Sequence, residues 1–146
     1  MAENETPSGG LLDQREALVA VARAMWDVLP DEYDSVTCTA MVMGGFGEYQ
    51  QQAHSTEDSK VIGASYPLIK AVTELRRIMY RPQTGTWYTA TFRLVRPGQL
   101  ETHFDYDSEP EWTMQPSDDS YRQDAEAFPR APEHTPDWMR AKLQSS

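Results

Sequence analysis

Two neighbouring runs of β-forming residues constrain this chain more than anything else in it. Thr86–Val95 is built almost throughout from strand formers, and Gln99–Asp107 alternates apolar and polar residues without a break. In the first run Tyr88, Ala90, Phe92 and Leu94 share a face. In the second, Leu100, Thr102, Phe104 and Tyr106 share one, and Glu101, His103, Asp105 and Asp107 share the other. Opposed residues of an antiparallel hairpin lie on the same face, so both apolar sets point into one core. The two sets have the same parity. The Arg96-Pro97-Gly98 connection must therefore have an odd residue count or a bulge, and Gly98 is the residue suited to absorb it. Trp87 has the opposite parity to Tyr88, which places it under a C-terminal helix or at the surface.

Around this hairpin the periodicity implies further elements. Leu11, Leu18, Ala22, Met25 and Leu29 form a helical stripe with Val21 and Val28 beside it, ended by Pro30. Ser35–Met43 reads as a strand with Val36, Cys38, Ala40 and Val42 on one face. Thr37, Thr39, Met41 and Met43 lie on the other. Gly44, Gly45 and Gly47 make a turn, and Glu48–His54 returns as a polar, edge-like strand. Ser55–Lys60 reads as a loop. A second helix runs from about Pro67 to Met79, with Leu68, Val72, Leu75 and Met79 as its stripe and Ile69 alongside. Ser117 and Thr135 are suited to cap two short C-terminal helices. The fold class is α+β: an antiparallel sheet of about four strands, an N-terminal and a middle helix packed on one face, and short C-terminal helices. Residues 1–10 read as a flexible tail and 11–146 as a single domain, within the usual domain size for 146 residues.

Several function classes lack their residues. No Walker loop, dinucleotide fingerprint, CxxC pair, HExxH or nucleophile elbow is present, so no catalytic residue, metal site or cofactor is expected. Gly44-Gly45-Phe46-Gly47 has no following Lys and suits a hairpin turn better than a phosphate cradle. His54, His103 and His134 fall in three separate segments. The single cysteine, Cys38, sits on an apolar strand face and reads as a small buried hydrophobe. Asp105-Tyr106-Asp107-Ser108-Glu109 has alternate oxygens like a fragment of a calcium loop. It lacks that loop's central Gly and distal Glu, and is more simply the wet face of a strand entering a loop. No apolar run approaches a membrane span, and MAENETPSGG lacks the basic and apolar regions of a signal peptide. The simplest expectation is a cytoplasmic protein; a secretion route without such a signal stays open.

Charge is the remaining signal. The net charge is -10, a field that repels nucleic acid and anionic membranes and attracts basic partners. It is also segregated. Lys60–Arg96 carries seven basic residues and one acid, whereas Gln99–Glu126 carries nine acids and one base. Glu101, Asp105 and Asp107 align on one strand face. Glu109, Glu111 and Trp112 follow, then Asp118 and Asp119. Carboxylates interleaved with aromatic rings suit an interface with a basic protein. The plainer alternative is a solvated face with Trp112 tucked inward.

The stretch WYTATFRLVRPGQLETHFDYDSEPEW, Trp87–Trp112, is similar to the central hairpin of the YezG-like immunity proteins of bacterial polymorphic toxin systems. In that family an aromatic strand passes through a Gly turn to a strand ending in an F-x-Y-D or F-D-Y-D element, here Phe104-Asp105-Tyr106-Asp107. Leu75-Arg76 in the preceding helix and the N-terminal amphipathic helix also fit. The likeness spans roughly residues 11–112 in layout and is specific over the last hairpin. It implies an antitoxin that binds a cognate toxin domain, often a nuclease, through its acidic surface without itself being an enzyme. The other expectations are an adaptor or chaperone for a secreted partner, or a small-molecule site lined by Trp87, Tyr88 and Tyr106.

Overall fold

The computed structural model of the chain describes residues 11–144. The expected tail, residues 1–10, and residues 145–146 lie outside the described set, as do the side chains of Leu11 and Leu12. Five antiparallel strands form one sheet in the order β3-β2-β1-β4-β5. They are β1 (Ser35–Met43), β2 (Phe46–His54), β3 (Ser59–Val61), β4 (Thr89–Val95) and β5 (Gln99–Asp105). Helices α1 (Leu11–Val28) and α2 (Tyr66–Ile78) lie on one face. α3 (Asp118–Ala127), a 3-10 turn at Pro132–His134 and α4 (Asp137–Gln144) complete the chain. The α+β class and the placing of the first two helices are as expected. The extra strand is β3, whose Ser59 and Lys60 come from the expected loop and whose Val61 lies just beyond it. It pairs with Gln52–His54, and among the described residues no strand pairs with the outer side of the first half of β2.

The alternation in β1 holds throughout. Val36, Cys38, Ala40 and Val42 face α1 and α2 together with Ala53, Ala90, Phe92 and Leu94. Burial pushes the Cys38 thiol up to about 12, so it stays protonated and unreactive at neutral pH. On α1 the buried stripe is Ala17, Val21, Ala24 and Met25, continued by Leu29 just past its end; the expected Leu18 and Ala22 are only half-buried. The stripe turns because α1 contacts α2 as well as the sheet. On α2, Ile78 is buried and Ile69 is not. The Ser65 hydroxyl caps α2 by accepting from Leu68 N–H at 3.2 Å. Ser117 caps α3 in the same way, while the Thr135 hydroxyl donates to the Ala131 carbonyl instead of capping α4.

The hairpin register is Val95↔Gln99 across a three-residue connection, the odd count that puts Phe92 and Phe104 in one core. Gly98 has φ +149°, a conformation open to glycine. The bulge lies at the other end. Tyr88 N–H donates to the Asp105 carbonyl at 2.9 Å, although Thr89 is the register partner of Asp105. Two residues thus oppose one, which resets the alternation. Trp87 consequently enters the main core, and Tyr88 turns to the opposite side. This reverses the faces expected for both.

Tyr88 belongs to a second apolar cluster with Met43, Tyr121 and Met139, against which Trp112, Trp138 and Leu143 pack. Met43 has the outer-face parity of β1. The chain after β5 therefore folds back over one end of the face that α1 and α2 leave uncovered. One buried ion pair joins the two clusters: both Arg76 guanidinium nitrogens Nη1 and Nη2 bond the Asp124 carboxylate, at 2.5 and 3.0 Å. Arg76 Nε donates to the Trp87 carbonyl at 2.7 Å, and Asp124 Oδ1 accepts from Gly44 N–H at 2.9 Å.

Candidate functional site

The open face of the sheet carries Thr37 and Thr39 from β1, Gln50 and Gln52 from β2, Thr89, Thr91 and Arg93 from β4, and Glu101, His103 and Asp105 from β5. Along its covered end runs the acidic loop Tyr106–Thr113. The loop and four strands enclose a cleft of about 260 Å³ lined by Thr39, Met41, Gln50, Thr89, Asp105, Ser108, Glu109, Pro110 and Glu111.

The loop is held at several points. Asp105 Oδ1 accepts from the N–H groups of Asp107 at 3.0 Å and Ser108 at 2.9 Å, a local turn that a short carboxylate can make. Arg130 donates to the Tyr106 carbonyl at 2.7 Å while its guanidinium stacks over Tyr88 at 4.5 Å. Trp138 Nε1 donates to the Asp107 carbonyl at 2.8 Å, and Pro110 is buried. At the far end the Glu48 carboxylate accepts from Thr113 N–H at 3.0 Å and from its hydroxyl at 2.7 Å. Trp112 meets Phe46 edge-on at 5.4 Å between ring centres.

These bonds divide the expected site residues by role. Asp107, Glu109 and Glu111 are exposed; the Asp107 side chain is 88% exposed, with Arg130 Nη1 3.9 Å from its carboxylate. Asp105 is turned to ordering its own loop, and Trp112 supports the loop from within the second cluster. Glu101 lies toward the other end of β5, 3.4 Å from Arg93 across the strands. Asp118 and Asp119 open α3. Glu109 and Asp118 are both close enough to the Tyr121 hydroxyl to raise its pKa after burial does so, whereas Asp119 pairs with Arg122 at 2.9 Å. Asp105, Glu109 and Glu111 thus gather at the cleft, at one end of the open face; Glu101 and Asp119 stand apart. The basic segment is turned inward only in part: Arg76 is buried and Arg96 half-buried, whereas Lys60, Lys70, Arg77, Arg81 and Arg93 are exposed. Arg76 is buried with Asp124, Arg77 pairs with Glu74, and Arg96 stacks on Trp26 at 4.9 Å and donates to the Tyr33 carbonyl at 2.8 Å.

Thr39, Gln50 and Thr89, which line the cleft, were not among the residues expected at a site. Their polar alternation was visible, but their convergence needs the β2-β1-β4 pairing. The expected aromatic pocket does not form, because the bulge sends Trp87 and Tyr88 into different clusters. Among the described residues no group of three His, Cys, Asp or Glu could share a metal ion, and no helix is long and apolar enough to cross a membrane.

Hydrogen bonds from the Ser108 and Asp107 backbone lower the Asp105 pKa against a smaller opposing push from burial. At Glu48 burial raises the pKa, but the bonds from Thr113 and Gln50 together outweigh it and the net shift is down. Both groups therefore stabilise the loop above the ordinary carboxylate range of about 4. That contribution is lost as pH falls through their lower folded values. The Asp107 and Ser108 amide resonances should move together in an acid titration below about pH 4. D105N, which keeps an acceptor, should hold those shifts at neutral pH, and D105A should not. An unchanged D105A spectrum would remove Asp105 as the organiser.

No protein-family model matches the chain, and no curated protein does.

Proposed function

We propose that the chain is an immunity protein that binds a cognate bacterial toxin domain, with the acidic loop and the adjoining open sheet face as its contact surface. The observation that carries this reading is the state of the loop. Its backbone is pinned at Asp105, Tyr106, Asp107 and Thr113, while the carboxylates of Asp107, Glu109 and Glu111 stay in solvent. A rigid, charged rim loses little entropy on binding and steers a basic surface toward it. Nuclease active sites are such surfaces, because they hold phosphates. The likeness of Trp87–Trp112 to the immunity-protein hairpin supports the same reading. Each residue of its Phe-Asp-Tyr-Asp element has a distinct part here: Phe104 and Tyr106 anchor in the main core, Asp105 orders the loop, and Asp107 is presented.

The test is co-expression with the toxin domain encoded beside the gene. The chain should form a stoichiometric complex and restore growth. The variant D107N/E109K/E111K, which keeps the hydrogen bonds that anchor the loop and puts no like charge beside Arg130, should weaken binding about 100-fold and lose protection. Association by the unaltered chain should slow as salt rises. Equal protection by the triple variant, or affinity indifferent to salt, would defeat the proposal.

A further inference from the structure

β5 is the last strand of the sheet, and among the described residues nothing pairs with its outer edge. The Asp105 carbonyl accepts from Tyr88 N–H on the β4 side. Backbone groups alternate in direction along an antiparallel strand. The odd-numbered residues therefore serve β4, and Leu100, Thr102 and Phe104 turn their N–H and C=O groups outward. Exposed edges are commonly blunted by proline, lysine or a bulge. Within Gln99–Asp105 β5 has none of these. Its inner-face side chains Leu100 and Phe104 are only half-buried at this edge.

We infer that this edge pairs with β5 of a second copy of the chain, antiparallel about a two-fold axis at Thr102. In that register Leu100 lies opposite the second copy's Phe104, and both lie on the core side. Glu101 lies opposite the second copy's His103 on the open side, and Gln99 opposite its Asp105. The outward groups of Leu100, Thr102 and Phe104 then meet one another, as the ladder requires. Moving the axis by one residue loses this complementarity. Centred on Glu101, the pairing sets Glu101 against its own copy. Centred on His103, it sets Glu101 against Asp105. Like charges directly opposed destabilise a sheet, whereas opposite charges and apolar pairs stabilise it. The strand is self-complementary in one register, and the product is a continuous ten-stranded sheet whose open faces lie side by side. The acidic loop departs beyond Asp105 and remains available, so this pairing is independent of what the loop binds.

Sedimentation velocity on the purified chain at tens to hundreds of micromolar should give twice the single-chain mass. T102P removes an N–H that β4 does not use, so it should keep the circular dichroism and melting temperature of the parent while running as a monomer. H103E opposes Glu101 with a second carboxylate and should weaken the dimer about tenfold. E101H/H103E exchanges the pair and should restore it. Amides of Leu100, Thr102 and Phe104 should gain exchange protection with concentration. A parent chain that stays monomeric throughout, as an edge reserved for another protein's strand would, overturns the inference. So does a folded T102P that dimerises like the parent. An H103E dimer of unchanged strength overturns the register.

Discussion

Replacing Asp124 with alanine should lower the stability of the chain by about 3–5 kcal/mol. Arg76 and Asp124 are 2% and 3% exposed, so each depends on the other for its charge. The guanidinium is further enclosed by Phe128 at 5.1 Å, Trp87 at 5.8 Å and Tyr88 at 5.9 Å, which exclude water from it. Deleting the carboxylate strands a buried cation and also frees Gly44 N–H from its acceptor. A buried ion pair is a poor source of net stability, but breaking one is costly because desolvation has no compensation. Urea unfolding of D124A measures the loss, and R76M/D124L should recover much of it by removing both charges. A D124A loss below about 1 kcal/mol would mean that water reaches Arg76 and that this pair does not join the two clusters.

Gly44→Ala should cost about 2–4 kcal/mol, for two reasons that add. Gly44 opens the two-residue turn between β1 and β2 with φ +61°, a region that disfavours any side chain. A Cβ there would also stand 2.5 Å from the Ser120 carbonyl oxygen and 3.1 Å from Gln123 Cβ, so α3 would have to move away. Gly45 is the control. A Cβ at Gly45 meets only Gln123 Oε1, at 3.6 Å, an ordinary contact, so G45A should be nearly neutral. Amide exchange in G44A should rise first in α3, because that helix is displaced while the sheet retains its ladder. Equal losses for G44A and G45A would show that neither the positive φ of Gly44 nor the packing of α3 sets the cost.

Legibility in the sequence followed the range of the forces involved. The strand alternation of Ser35–Met43 and Gln99–Asp105 carried through because one face of each strand meets the helices and the period of two is fixed by the backbone. Ser117 acts as the expected cap because capping is a contact within one turn, whereas Thr135 bonds the Ala131 carbonyl and Ser65, not expected as a cap, serves α2. The misreadings have non-local causes. The Tyr88 bulge arises from a bond to Asp105, and it alone exchanges the environments of Trp87 and Tyr88. The buried face of α1 depends on where α2 lies. Arg76 would read as a surface residue from its type, yet Asp124, 48 residues away, lets it be buried.

The candidate surface divides in the same way. Its acidic residues, their place after the last strand and their bias against the preceding basic segment could all be read from the chain. Which carboxylates are presented and which are spent could not. Asp105 and Asp107 are chemically alike and two residues apart, but the first bonds the loop backbone and the second is 88% exposed with one long ion pair to Arg130 at 3.9 Å. By itself the sequence determined an α+β domain with an acidic strand-to-loop segment, because periodicity and charge are local properties. Only the tertiary structure decided that the segment is a pinned rim beside an open sheet face. That outcome depends on Glu48, Arg130 and Trp138, brought to the loop from distant parts of the chain by the packing of the second cluster.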